Sequence, residues 1–366
     1  METSAKFKDG QIPSLNGWRA VAILLVILDH AVYTAGFPAD RIPAWGWVLL
    51  QQGDLGVRIF FVLSGFLITH LLLKEAEQRD SVSFKRFYIR RCLRILPVYV
   101  TYLSVLALLL KIGVYSGESN SSWLGALTFT RNMVGPVNSF TGHFWSLAVE
   151  EQFYLAWPLC LIIFALWRRP RLAYSLILIP VFLCPLVRTS GMTIENNGEF
   201  YGRVFGGNSI LVYADSLAIG CLGAFLLRRV FLRLTSVASS FVLAAALAII
   251  ASGAVLGLVS GIPNFVLAFI PSVQAVAILI AMWISTQHQN NIIFRVLNWP
   301  PVNLLGILSY SLYIWHVLFL SNFTGSTLRA ILYDWRTWWL LSIATAALSY
   351  YCIERPVLRL KRRLHT

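Results

Sequence analysis

Charge is scarce in this sequence, and negative charge is scarcest: 13% of the 366 residues are charged, with 16 Asp and Glu against 30 Lys and Arg. A soluble globular domain carries about 25% charged and about 45–50% apolar residues, whereas 57% of this chain is hydrophobic. That leaves too little polar side chain to cover water-soluble cores, and a bilayer is the natural solvent. Cysteine is sparse as well. Cys92, Cys160, Cys184, Cys221 and Cys352 are scattered, mostly inside apolar runs, with neither zinc-like spacing nor a Cys-x-x-Cys pair, so they read as reduced core residues and no metal site is expected. A glycine-rich phosphate loop, a zinc helix motif and a Gly-x-Ser-x-Gly elbow are all missing, which removes the usual support for ATP-driven and serine-hydrolase chemistry. Neither a tandem repeat nor a coiled coil is present, and no small-residue cleavage site follows the first apolar run, so that run is expected to stay as a helix.

What is present is a series of apolar runs, and a helix needs about 20 apolar residues to cross a hydrocarbon core of about 30 Å. Ten candidate helices follow, at roughly 15–34, 53–73, 93–112, 143–166, 171–188, 208–228, 238–258, 264–285, 302–321 and 337–354. The expectation is an all-α polytopic membrane protein with about ten transmembrane helices in one bundle, a single domain over 1–366. The net charge of +14 does not point to nucleic acid, because the Lys and Arg residues fall in the breaks between runs and not on one amphipathic face. With the N-terminus placed in the cytoplasm, 21 of the 30 Lys and Arg lie on the inner side, and the positive-inside rule favours two cytoplasmic termini. Two connecting stretches stand out. Ser81–Arg91 has Phe84, Phe87, Tyr88 and Arg91 at helical spacing and suits an amphipathic helix at the inner interface. The outer loop Gly113–Gly142 carries a short apolar piece, Trp123–Phe129, expected to be re-entrant or interfacial.

Ionisable groups inside hydrocarbon are costly and each calls for a functional hypothesis with a partner. Asp29-His30 interrupts the first run about 14 residues past its start, which at about 1.5 Å per residue puts His30 ~21 Å deep, toward the outer half. In His143-Phe144-Trp145-Ser146-Leu147-Ala148-Val149-Glu150-Glu151, Glu150 lies ~10 Å below the outer boundary, close to the ~9 Å reached for His30 from the other side. An imidazole beside a buried carboxylate is the arrangement a general base needs; the alternatives are a structural histidine and a helix-packing ion pair. Glu151 points about a hundred degrees round the same helix and cannot share that face. Arg91 and Arg94, at the inner mouth of the third helix, are three residues apart and share a face. Two guanidinium forks suit a phosphate-rich ligand, although basic residues at an inner membrane end also serve topology and anionic lipid. The Ser64-Gly65 pair reads first as a close helix contact. His316, in Ser309-Tyr310-Ser311-Leu312-Tyr313-Ile314-Trp315-His316, has no acid in its own helix, and His70, His288 and His365 look solvated. The sequons Asn120-Ser121-Ser122 and Asn322-Phe323-Thr324 are too common a pattern to interpret.

Together these segments resemble the membrane-bound acyltransferase 3 family, the bacterial O-acetylases and acyltransferases of polysaccharides and other glycoconjugates. The resemblance spans nearly the whole chain and rests on six marks in order: Arg19 followed by His30, Gly56–Ile68, Arg91–Pro97, His143–Tyr154, Tyr310–His316 and Glu354-Arg355-Pro356. It implies that His30 is the essential histidine, Glu150 the essential acid, with Glu151 a lesser candidate, and Arg91 and Arg94 the essential arginine pair. Arg19 joins them as an expected donor-binding residue. It departs from many relatives in having Asp29 before the histidine and in stopping at Thr366, with no appended periplasmic esterase-like domain expected.

The implied activity is O-acyl transfer, O-acetyl transfer first of all, from acyl-CoA to a hydroxyl of a carbohydrate or glycoconjugate, in the bacterial inner membrane. The CoA nucleotide would sit at Arg91 and Arg94 while its thin pantetheine arm carries the thioester up the bundle to His30. Glu150 would hold the His30 ring as it takes the acceptor's proton. Trp145, Ser64 and Tyr154 are expected near the substrates as oxyanion donors. A secondary transporter of a sugar or lipid-linked intermediate is the rival reading, opposed by the lack of matching halves or paired broken helices.

Overall fold

The computed structural model describes residues 12–34, 36–135, 139–193, 208–227, 235–256, 262–287, 291–320 and 334–363. His288, His365 and the Asn322 sequon lie outside them. The described residues form helices and no β-strand. In order these are α1 (Leu15–Ala31), α2 (Ala44–Leu50), α3 (Gly53–Arg79), α4 (Phe84–Lys111), α5 (Asn120–Leu127), α6 (Phe144–Ile163) and α7 (Pro170–Thr193), followed by α8 (Ile210–Leu226), α9 (Ser236–Leu256), α10 (Asn264–Gln287), α11 (Ile292–Leu297), α12 (Pro300–Trp315) and α13 (Trp335–Ser349). A π turn, Tyr350–Glu354, leads into α14 (Arg355–Arg363).

Each of the ten expected runs coincides with a helix, because the polar residues between runs are helix caps. Ser83 opens α4 by accepting from Arg86 N, Ser209 opens α8, Asp334 opens α13, and Pro300 occupies the first turn of α12. Six helical stretches are long and apolar enough to cross a membrane: Ala44–Arg79, Phe84–Lys111, Phe144–Ile163, Pro170–Ser190, Asn264–Gln287 and Pro300–Phe319. Ile210–Leu226 and Val237–Gly253 are apolar but shorter, and α1 and α13 stop at 17 and 15 residues. Six spans are thus supported by length and composition among the described residues, and the count of about ten is not confirmed.

One expectation between runs is corrected. The interfacial helix at Ser81–Arg91 and the membrane helix after it are one helix, α4, since nothing from Arg90 to Arg94 interrupts backbone hydrogen bonding. The expected re-entrant or interfacial piece Trp123–Phe129 is not contradicted: most of it lies in the short helix α5, which is capped by Ser119 and rests on α4, where Tyr99 Oη donates to Ala126 O at 2.8 Å.

The bundle closes around α1, α3, α8 and α12. Helix α3 crosses α8 with their backbones touching: a Cβ on Gly65 would collide with Leu217 O, and one on Gly220 with Val62 O. Elsewhere Arg188 of α7 reaches Asp215 of α8 at 2.6 Å and Ser272 of α10 at 2.8 Å, all three buried, so one ion pair ties three helices. On the side assigned to the cytoplasm, Arg168 pairs with Asp80, joining the loops after α6 and α3.

Candidate active site

A cavity of about 200 Å³ runs along α3 from Leu71 to Val57, a helical distance of ~21 Å. Its inner end is basic. Arg19 from α1 and Arg91 and Arg94 from α4 all line it, because the first turns of α1 and α4 and the last turns of α3 lie at the same end of the bundle. Arg91 stacks on the Tyr154 ring at 3.5 Å, and its Nε is buried with no protein partner. Arg19 Nη1 donates to Asn16 Oδ1 at 3.0 Å. Glu354, buried and accepting from Ser311 Oγ at 3.0 Å, lies within electrostatic reach of Arg94 and Arg19. Tyr310 Oη donates to Ile95 O at 2.7 Å, pinning α12 to α4 across the cavity.

Midway along the wall Ser64 Oγ donates to Glu150 Oε1 at 2.5 Å. Three guanidinium groups face this one lining carboxylate, so the cavity is net positive and suited to an anionic, phosphate-bearing guest. Ser64 thus serves the site while its neighbour Gly65 makes the helix contact. At the outer end Tyr313 Oη donates to His143 O at 2.5 Å and accepts from Ser146 Oγ at 2.5 Å. Both Tyr313 and Ser146 line the cavity.

His30 stands just beyond that end, half-buried and outside the cavity wall. Its Nδ1 lies 2.8 Å from Val26 O. A carbonyl can only accept, so Nδ1 carries the proton and Nε2 keeps the lone pair of a base. No hydrogen bond joins His30 to Glu150; the expected pairing is replaced by an edge-to-face contact with His316, ring centroids 5.0 Å apart. Nor do the two share a height: Glu150 on α6 sits beside Ser64 midway along α3, whereas His30 lies near the first residues of α3 and turns toward His316.

The remaining expected residues are spread out. Asp29 lies against Gly53, the first residue of α3, where a Cβ would come within 2.7 Å of Oδ2, a favourable place for a carboxylate at a helix N-terminus. Glu151 is off the cavity, with Oε1 buried and unpartnered. Trp145 does not line the cavity but packs on Tyr213 at 5.0 Å and on the lining residue Phe61 at 6.4 Å, while Tyr154 lines it. Among the described residues no His, Cys, Asp and Glu group could hold a metal ion.

Sequence reasoning missed the partners of two intramembrane acids. Asp54 accepts from Arg58 at 2.8 Å and from Tyr213 at 2.6 Å, and Asp215 accepts from Arg188. A lone Asp inside the run Ile210–Leu226 was the available signal for the second pair. The outer loop is clipped by Arg131, whose Nε donates to Thr141 Oγ at 3.1 Å while Thr141 donates to Glu118 at 2.6 Å. Burial pushes the Arg131 guanidinium below its usual pKa, against the opposing pull of Glu118.

The family described as an acyltransferase domain matches residues 12–354. The chain belongs to the acyltransferase 3 family. It is 29% identical to the peptidoglycan O-acetyltransferase of Listeria monocytogenes over 98% of this chain and 57% of that protein. It is 28% identical to a putative peptidoglycan O-acetyltransferase of Bacillus subtilis, over 94% of this chain and 55% of that protein. A putative O-acetyltransferase of Staphylococcus aureus strain COL is 30% identical over 94% of this chain and 57% of its own length. The chain thus spans little more than half the length of these relatives. No solved structure matches.

Proposed function

We propose that this acyltransferase moves an acyl group, acetyl first of all, from acyl-CoA to a hydroxyl of a carbohydrate of the kind its relatives acetylate. The observation that carries the reading is the cavity itself, basic at one end and reaching Tyr313 at the other, whose ring lies 5.7 Å from His316, which in turn lies 5.0 Å from His30. Phosphates of CoA are held by Arg19, Arg91 and Arg94 at the inner mouth. The pantetheine arm threads past Ser64 and Glu150, whose carboxylate offsets part of the arginine charge and accepts the serine hydroxyl hydrogen. The thioester reaches the outer end, where displacement of Tyr313 and the His316 ring behind it opens the way to His30. There His30 Nε2 takes the acceptor's proton as its oxygen attacks the thioester carbonyl. In this reading about ten helices cross the bilayer, both termini are cytoplasmic, and the acceptor arrives from the outer side.

The test is turnover by the purified full chain in lipid vesicles, with acetyl-CoA and soluble peptidoglycan fragments, read as free thiol and as acetylated sugar by mass spectrometry. Both products should appear with wild type, and His30→Ala should reduce them by about 10²–10⁴-fold. Thiol release without a modified sugar would overturn the acceptor class. Neither product, with sugar carried across the vesicle instead, would establish a transporter.

A further inference from the structure

Helix α4 carries two neighbouring arginines in opposite arrangements. Arg90 Nη2 donates to Glu75 Oε2 at 3.0 Å, so part of its fork is spent on a carboxylate. Arg91 makes no ion pair among the described residues. Its guanidinium lies instead 3.5 Å from the centroid of the Tyr154 ring, and its Nε is buried without a partner. A carboxylate would take the N–H edge that a phosphate needs, whereas an aromatic face holds the plane of the cation and leaves that edge free.

Local chemistry brings the ring to Arg91. Pro158 has no N–H, so the carbonyl of Tyr154, four residues earlier in α6, lacks its usual helical donor. Tyr88, one turn before Arg91 on α4, takes that place by donating Oη to Tyr154 O at 2.8 Å. This bond ties α4 to α6 at the height where Arg91 meets the ring. Tyr154 itself is buried in a cluster with Leu72, Phe87, Trp157 and Leu161, so the face it offers is a rigid one.

We infer that Tyr154 is the positioning residue for Arg91: its ring face holds the guanidinium against the cavity wall and leaves the N–H edge to the phosphate of a guest. This rests on the reading of the basic end as the donor site. It gives Tyr154 a part in donor binding through its ring, where the sequence suggests an oxyanion donor through its hydroxyl. Fixing a long side chain is costly when it happens on binding, and a ring that fixes it beforehand removes that cost from the binding step.

The test is calorimetry of CoA binding to the full chain purified in detergent, with Tyr154→Phe as the reference. Placing 3,4,5-trifluorophenylalanine at position 154 keeps the shape of the ring but withdraws from its face the electron density that attracts a cation. Relative to Tyr154→Phe, the fluorinated protein should bind CoA roughly 3- to 30-fold more weakly, the range of a cation–π contact. Tyr154→Leu should weaken binding at least as much. In an Arg91→Gln background both changes should have little effect, because the cation they act through is gone. Thermal melting in the same detergent checks the fold, and if Tyr154→Leu unfolds, the fluorinated ring decides. Equal affinity of the phenylalanine and trifluorophenylalanine proteins, or losses that persist in the Arg91→Gln background, would overturn the inference. Wild type that fails to bind CoA would overturn the donor reading itself, and this inference with it.

Discussion

At the scale of single residues the cavity separates binding from chemistry. Arg91 and Arg94 each present a planar fork, and lysine keeps the charge, and with it the orientation in the membrane, but not the fork. Arg91→Lys and Arg94→Lys should weaken CoA binding by about 10- to 100-fold in calorimetry of the detergent-purified protein. Unchanged affinity would make the arginines mere topology markers. Glu150 and Glu151, adjacent in sequence, differ in what they touch: the first bonds Ser64 at 2.5 Å in the cavity wall, the second is off the cavity. Glu150→Gln should therefore cost more than tenfold in turnover, about one lost charge-assisted hydrogen bond, and Glu151→Gln clearly less. The reverse order would show that the wrong carboxylate has been placed at the site.

At the scale of helices, the Arg188–Asp215–Ser272 cluster is the point where packing depends on charge. Removing one partner strands a buried ion, so Asp215→Asn should destabilise the protein by about 3–5 kcal/mol, measured as a fall in melting temperature in a fixed detergent. Arg188→Met combined with Asp215→Leu should recover much of the loss, and additive losses would disprove an isolated pair. This cluster also marks how far the sequence could be read. Runs of apolar residues and the caps between them locate every expected helix, because insertion and capping are local properties. Which helices touch is not local. The depth count put His30 and Glu150 at one height, but Glu150 lies at the level of Ser64 and His30 near Gly53, eleven residues away along α3; how each helix is set against α3 depends on contacts such as the Gly65–Gly220 crossing, which no periodicity reveals. The arginine site was legible for the opposite reason: Arg91 and Arg94 share one helix, and their spacing alone sets their common face. The acid of Arg58 lies four residues earlier on the same helix, whereas that of Arg188 lies on the next helix, α8, a pairing that no spacing within one run reveals.

Across the whole molecule, the two ends of the bundle are chemically unlike. One carries the three arginines and the Arg168–Asp80 loop pair, the other the histidines and the Arg131 clip. If the arginine end is cytoplasmic, a cysteine at exposed Ser116, in a chain freed of its five native cysteines, should react with an impermeant maleimide added to intact cells. A cysteine at exposed Ser81 should react only after the membrane is opened. The converse pattern would invert the protein and with it the side from which the donor enters.

The α3–α8 crossing has a consequence for what the protein could be made to do. Because Gly65 and Gly220 already bring the two backbones together, α3 has no room to withdraw, and the cavity wall it forms is a fixed ruler against which a guest is measured. Width can be changed only from the facing side, where Ile95 of α4, Leu147 of α6 and Tyr310 of α12 line the same space. Tolerance for bulkier acyl groups should accordingly evolve, or be engineered, by trimming those three side chains, while the α3 face carrying Ser64 keeps its register.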